Sequence, residues 1–362
     1  MKGDEFFVKI ASRPPLNRLH PAVGTFFKDY LRGEKPTAFG DRWVINTHFP
    51  PYPGRAFDAM AEQFLHPSDG RRLYSVTLAV TNRCRFRCWH CYNAGRSQTD
   101  LPRDALKSLA GELQRLGAAL VTVTGGEPLL RDDLEEIVGA FDDRTCVNLN
   151  TTGWGLTAAR ARALKDAGLF AAGVSLDSPD PREHDALRGV EGAFAAAMEA
   201  LAAARQAGLY PYVVAVARRE LLRREAFEAL IRAALSGGAR EVHLLEPVAI
   251  GRLASRDEVL LTAEERRCLV GYQLEAARRD DWPAVSTFAY LEGENAFGCG
   301  AGLGHLYIDG SGEVCPCNLV PLSFGNILRR PLEDILGDMG ECFGRARPSC
   351  VARPLAPHIP DA

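Results

Sequence analysis

Between residues 74 and 290 the chain alternates short runs of β-branched and apolar residues with longer stretches whose apolar positions recur at helical spacing. The short runs read as strands at Ser75–Thr81, Leu120–Thr124, Cys146–Asn150, Ala172–Leu176, Tyr212–Ala217 and Glu241–Leu245. The longer stretches read as helices at Arg103–Leu116, Leu130–Phe141, Thr157–Ala167, Gly192–Ala207, Arg223–Leu235 and Thr262–Arg279. Gly117, Gly168 and Gly208 stand where helices stop. Six strand–helix units in series imply an α/β fold with a parallel sheet and right-handed crossovers. Periodicity alone leaves open whether that sheet stays open or curls into a partial barrel.

The flanks follow other patterns. Residues 1–73 are rich in proline and aromatics with weak periodicity. They read as a loop-rich segment with one or two helices, such as Arg55–Phe64, which either packs over the main domain or serves as a lid or substrate-binding element. After about residue 290 the alternation gives way to Gly- and Pro-rich sequence. There His305–Ile308 and Glu313–Cys315, around Asp309-Gly310-Ser311-Gly312, read as a hairpin. The expected organisation is an N-terminal segment (1–73), a main domain (74–290) and a small C-terminal domain (291–362).

Composition narrows the classes. The 362 residues are 46% hydrophobic and 25% charged, ordinary for a folded domain. Lys+Arg 43 against Asp+Glu 46 leaves a formal charge of −3, which gives no footprint for bulk nucleic-acid binding. The N-terminal stretch lacks the apolar core of a signal peptide, and no apolar run is long enough to span a bilayer. A cytoplasmic protein with neither nucleic-acid nor membrane partners is the expectation. Ten cysteines are then unusual: disulfides are disfavoured in that compartment, so metal ligation or redox chemistry is the leading account.

Three of them lie in Thr81-Asn82-Arg83-Cys84-Arg85-Phe86-Arg87-Cys88-Trp89-His90-Cys91-Tyr92, directly after the first main-domain strand. Three thiolates on one short loop suit a soft metal. A structural zinc needs a fourth nearby ligand, and His90, between two of the cysteines, is poorly placed to be it. A four-iron cubane held by three thiolates leaves one iron open to an exogenous ligand. The C-x3-C-x2-C loop resembles the signature of the radical S-adenosylmethionine (SAM) enzymes. The resemblance implies a partial (β/α)6 TIM-like barrel and a 4Fe–4S cluster on Cys84, Cys88 and Cys91, whose open iron binds SAM, with His90 beside the adenine. Further matches follow in order. Thr124-Gly125-Gly126-Glu127-Pro128 resembles the family's GGEP turn, implying that Gly125, Gly126 and Glu127 meet the SAM amino group. Asn150, Ser175, Asp177 and Arg188 match positions implied to line the SAM pocket, with Ser175 near its carboxylate or ribose and Arg188 near its carboxylate. The Glu246–Arg252 run resembles the segment that backs the adenine. On their own, Ser175 and Asp177 also suit turn caps, and Arg188 a surface ion pair.

The tail holds five cysteines: Cys299, Cys315, Cys317, Cys342 and Cys350. Cys299, ten residues, Gly310, four residues and Cys315 resemble the opening of SPASM and twitch domains, and Phe324-Gly325-Asn326-Ile327 their usual continuation. The resemblance implies auxiliary 4Fe–4S chemistry. Five cysteines fall short of the about eight that two such clusters need, so one auxiliary cluster is expected. Its expected ligands are Cys299, Cys315, Cys342 and Cys350, with Cys317 competing for a place; a tail zinc is the alternative. Cys146 and Cys268 read as buried structural thiols.

As a member of that family the chain is expected to be a radical SAM oxidoreductase. An external electron donor such as flavodoxin or ferredoxin reduces the cluster, SAM is cleaved to a 5′-deoxyadenosyl radical, and that radical takes hydrogen from a substrate C–H. Catalytic residues beyond the cofactor sites are not assigned. By its Ser175–Arg188 pattern a peptide or protein is the leading substrate, oxidised or crosslinked. A small-molecule oxidoreductase or decarboxylase acting on a sugar, cyclitol or tetrapyrrole is the alternative, and a non-catalytic iron–sulfur carrier a remote one.

Overall fold

The computed structural model describes residues 1–65, 73–293, 296–345 and 347–358. In chain order the strands are β1 (Thr37–Phe39), β2 (Arg42–Val44), β3 (Ser75–Ala79), β4 (Leu120–Thr124), β5 (Cys146–Thr151), β6 (Leu169–Ser175), β7 (Tyr210–Val216), β8 (Glu241–Leu245), β9 (Ala284–Thr287), β10 (His305–Ile308) and β11 (Val314–Cys315). The helices are α1 (Gly3–Ala11), α2 (Pro21–Leu31), α3 (Arg55–Leu65), α4 (Arg103–Arg115), α5 (Leu134–Val138), α6 (Ala158–Asp166), α7 (Pro181–Arg188), α8 (Ala193–Gln206), α9 (Arg224–Gly237), α10 (Ala263–Ala276), α11 (Phe288–Leu291), α12 (Leu332–Phe343) and α13 (Ala352–Leu355).

Strands β3 to β9 pair in sequence order and in parallel. Side chains alternate along each strand. One set, including Val76, Leu78, Val121, Val123, Leu149, Val174, Val213, Val242 and Leu244, is buried in the core beneath the helices. The other set, including Ser75, Thr122, Asn150, Ser175, Tyr212 and His243, lines a single cavity of about 1250 Å³. Strands at both ends of the series face one cavity, so the sheet curls around it. It does not close: β11 and β9 are its edges.

The tail joins this sheet. β10 pairs in parallel with β3, and β11 returns antiparallel to β10 as the expected hairpin. The N-terminal segment packs against the residues that follow β9 and against the starting ends of the central strands. Phe6, Ile10, Phe27, Tyr30, Leu31, Phe49, Phe57 and Met60 form its core, packed against Tyr290, Leu291 and Phe297. Thr47 enters the barrel end: its N–H and hydroxyl donate to Glu241 Oε1 at 3.2 and 2.9 Å, and its carbonyl accepts from Asn148 at 3.2 Å.

The sequence reading is close for the six central strands. It misses β9, whose inward Ser286 is polar because it donates to buried Glu241 at 2.6 Å. The expected Leu130–Phe141 helix is broken: Pro128–Leu130 forms a short 3-10 turn capped by Glu127, and α5 begins four residues later. Among the described residues no helix is long and apolar enough to cross a membrane.

Candidate active site

The cysteine loop hangs from the carboxyl ends of the strands, where barrel sites gather. Its backbone is held on three sides. Gly126 and Glu127 N–H groups donate to Thr81 and Arg83 carbonyls at 2.7 and 2.9 Å. Arg87 and Trp89 N–H groups donate to Arg188 and Leu187 carbonyls, both at 3.0 Å, at the end of α7. Arg252 N–H donates to the Cys91 carbonyl at 3.1 Å. The two glycines of the turn after β4 are required by this approach. A Cβ on Gly125 would stand 2.2 Å from the Thr81 oxygen, and one on Gly126 would stand 2.2 Å from the Arg83 oxygen.

Cys84, Cys88 and Cys91 all line the cavity. Partial loss of water pushes the Cys84 thiol up to about 12, and burial raises Cys91 as well. Thiols so raised keep their protons unless a metal takes the sulfur. Among the described residues no three His, Cys, Asp or Glu side chains converge on a single ion. The thiols border open space instead, which suits a multi-iron group larger than one zinc. In donor softness and placement the three residues fit a 4Fe–4S cluster.

The residues expected around SAM fall into two groups. Gly125, Gly126, Asn150, Ser175, His90 and Arg188 line the cavity. Asn150 Oδ1 accepts from the Tyr212 hydroxyl at 2.6 Å. Glu127 and Asp177 do not reach the cavity wall. Glu127 is 1% exposed, and its carboxylate accepts from Leu129 N–H (3.1 Å), Thr151 hydroxyl (2.6 Å), Thr152 N–H (2.8 Å) and Thr152 hydroxyl (2.6 Å). Four donors fill the acceptor positions of a carboxylate, so Glu127 ties the turn after β4 to the end of β5. Asp177 is also buried. Its Oδ1 accepts from Val216 N–H at 3.0 Å, and its Oδ2 lies 3.1 Å from Arg188 Nη2 and 3.4 Å from His90 Nε2. Burial acts to raise its pKa, but the Arg188 charge and His90 outweigh that and hold it well below the carboxylate range.

The tail cysteines divide as well. Cys299, Cys317 and Cys350 line the same cavity as the loop cysteines. Cys315, on β11, points to the other face, into the core with Ala79 and Tyr307, where burial pushes its thiol up to about 11 against the lowering effect of the Arg96 charge. Strand alternation separates Cys315 from Cys317, since residues two apart share a face only while the strand continues, and β11 ends at Cys315. The G-x4-C spacing also fits Gly312 and Cys317, an equivalent reading that only the strand's end distinguishes. Cys342 is exposed. Gly340 and Gly344 line the cavity, four residues apart on one helical face, which leaves Cys342 between them turned away. Glu292 is pushed up to about 7, first by burial and then by Glu246, with the neighbouring Cys299 acting to lower it. Cys146 and Cys268 stand apart, their thiols donating to Asn148 Oδ1 and the Leu222 carbonyl.

Sequence reasoning missed much of the cavity floor. His48, Tyr212, His243 and His305 all line it. His48 and His243 meet edge to face at 4.4 Å, and His305 Nδ1 lies 2.8 Å from Ser75 Oγ. Burial lowers His48 and His305 to about 4, so the floor is neutral at pH 7. A single inward histidine on a strand carries no signal; the grouping needs three separate segments.

Residues 78–217 match the model of the radical SAM superfamily, and residues 299–350 match that of an iron–sulfur cluster-binding domain, SPASM. By sequence the chain is 26% identical over 287 residues to an AdoMet-dependent heme synthase of Nitratidesulfovibrio vulgaris, covering 72% of this chain and 77% of that one. It is 29% identical over 287 residues to a GTP 3′,8-cyclase of Xanthomonas axonopodis pv. citri, covering 76% and 81%. Among solved structures, Streptococcus suis SuiB bound to S-adenosylmethionine aligns with TM-score 0.62 at 15% identity, covering 75% of this chain and 68% of that one. The anSMEcpe structure with bound AdoMet aligns with TM-score 0.58 at 15% identity, covering 74% and 82%. At these identities the structural likenesses speak to the fold.

Proposed function

Because the chain belongs to the radical SAM superfamily and carries a SPASM iron–sulfur domain after its barrel, it is a SAM-dependent iron–sulfur enzyme, and we propose that its substrate is a small organic molecule enclosed in the barrel cavity. When bound, the cofactors supply one-electron cleavage of SAM to methionine and a 5′-deoxyadenosyl radical that takes hydrogen from a substrate C–H. The carrying observation is the single cavity of about 1250 Å³, lined at once by Cys84, Cys88 and Cys91 and by Cys299, Cys317 and Cys350. That volume exceeds the roughly 300–1,000 Å³ of ordinary small-molecule sites, and because SAM and the clusters must share it, the space left over suits a compact substrate. Two sequence relatives matched over most of their length are named for a heme and for GTP, which favours a small molecule over the peptide that the Ser175–Arg188 pattern suggests.

The chain's own residues bind, orient and exclude water. Cys84, Cys88 and Cys91 seat the cleaving cluster; Cys299, Cys317 and Cys350 seat the auxiliary one, with Glu292 beside Cys299. Asn150 and Ser175 offer polar contacts to SAM from the ends of β5 and β6, and His90 flanks it. The N-terminal segment supplies Thr47, His48 and Phe49 to the cavity wall and thereby keeps solvent from a radical. An external donor of the flavodoxin or ferredoxin kind delivers the electron.

Anaerobic incubation of the reconstituted enzyme with SAM and dithionite tests the reading. It should yield 5′-deoxyadenosine, in larger amounts when the correct substrate is present; absence of 5′-deoxyadenosine sinks the enzymatic proposal. A panel of small molecules and peptides then tests the substrate class, since stimulation by a peptide alone would reverse the choice.

A further inference from the structure

Arg188 is 4% exposed and both ends of its guanidinium are engaged. Nη1 lies 3.5 Å from Cys88 Sγ in a hydrogen bond, and Nη2 lies 3.1 Å from Asp177 Oδ2. Its Nε is buried without a partner. A carboxylate is best bound by two parallel N–H groups of a free guanidinium fork, and this fork is divided between a sulfur and a buried carboxylate. We infer that Arg188 serves the cluster rather than the SAM carboxylate: held by Asp177, it donates to the Cys88 sulfur and sets the potential at which the cluster takes its electron. The inference rests on the seating of that cluster on Cys84, Cys88 and Cys91.

The physical reason is charge. Reduction adds one negative charge to the cluster, and cluster potentials respond to hydrogen bonds at the sulfurs and to nearby charge. A buried cation donating to a ligand sulfur stabilises the reduced form more than the oxidised form and raises the potential. Asp177 acts in the opposite direction while fixing Arg188 in place. The carboxylate is itself oriented by Val216 N–H, and His184 Nδ1 accepts from its backbone N–H at 3.1 Å. The placement is built into the fold. Arg188 is the last residue of α7, and its carbonyl accepts from Arg87 N–H in the cysteine loop. The residue that anchors the loop backbone thus also aims its side chain at the loop's central thiol.

The test is a redox titration of full-length reconstituted enzyme, following the part of the reduced-cluster EPR signal that changes when SAM is added, together with iron content and SAM affinity. Arg188→Met should lower the midpoint potential, with the reduced-to-oxidised ratio at fixed potential falling about tenfold, or 59 mV for a one-electron couple. Asp177→Asn should move it the opposite way, and Arg188→Lys should recover part of the loss. Opposite signs are an outcome that a purely structural role does not give. An unchanged potential in Arg188→Met with weakened SAM binding overturns the inference and returns Arg188 to the SAM carboxylate. Should Arg188→Met fail to load iron, Asp177→Asn still decides, because an unshifted or lowered potential there also overturns it. A SAM-sensitive signal that survives Cys84/Cys88/Cys91→Ala would instead refute the cluster's seat.

Discussion

At the scale of single residues, the chemistry rests on which way a side chain points. Cys315 and Cys317 are two positions apart, yet one is sealed in the core against Tyr307 and Arg96 while the other faces the cavity. In a Cys84/Cys88/Cys91→Ala background that retains about four irons per chain, Cys317→Ala should abolish most of that iron, whereas Cys315→Ala and Cys342→Ala should leave it. Iron and sulfide analysis after anaerobic reconstitution reads the difference. Loss with Cys315→Ala and retention with Cys317→Ala would reverse the proposed ligand set. Glu127 teaches the same lesson. The GGEP run is legible in sequence, but its carboxylate is consumed by four donors of β5 and the adjoining turns, which no local pattern announces.

At the scale of elements, the cysteine loop has little structure of its own and takes its shape from its neighbours. The turn after β4, the end of α7 and the turn at Gly251 each lend it a backbone hydrogen bond. Gly126→Ala should therefore act on the loop. Its Cβ would overlap the Arg83 carbonyl, and a backbone oxygen cannot step aside as a flexible side chain can. The expected result is loss of about half the iron, from the loop cluster alone, with the thermal transition retained. Equal loss from both clusters would mean that the barrel itself had failed. Helix α7 is hidden in the sequence because it is short and the residues it buries, His184 and Arg188, are polar; its last carbonyls are bonded to the cysteine loop.

At the scale of the whole molecule, the N-terminal segment completes the barrel. Glu34, three residues past the end of α2, is 2% exposed and accepts from Gln273 at 3.2 Å, linking the segment to α10. Burial pushes Glu34 up to about 8, against the lowering effect of the nearby polar groups of Asn46, Tyr30 and Gln273. A carboxyl raised in the folded state binds more protons there than in the unfolded chain. Its contribution is fully present below about 4.5 and is lost as pH rises through about 8. Glu34→Gln should therefore gain stability relative to wild type as pH rises across that window, by about 1.4 kcal/mol per unit at most. Denaturant melts at several pH values check it; a difference that does not vary with pH would show that folding leaves the Glu34 carboxyl titrating as it does in the unfolded chain.

The sequence by itself determined the strands from β3 to β8, the helices α4, α6, α8 and α9 between them, and the three-thiol loop, because each is a local pattern written in consecutive residues. It also placed the tail hairpin, whose Gly-rich turn is equally local. Only the tertiary structure decided that β10 joins β3, that Thr47, His48, Phe49, Gln63 and Phe64 of the N-terminal segment line the cavity, and that Cys299, Cys317 and Cys350 share it with the loop cysteines. It alone divided the expected SAM residues, sending Glu127 and Asp177 into buried networks and leaving Asn150 and Ser175 on the wall. The reason is the same in each case. A side chain's facing and partners depend on other segments of the chain, as Glu127 meets Thr151, 24 residues away, and Arg188 meets Cys88, 100 residues away, and burial then fixes whether a charged group is spent within the protein or left for a ligand.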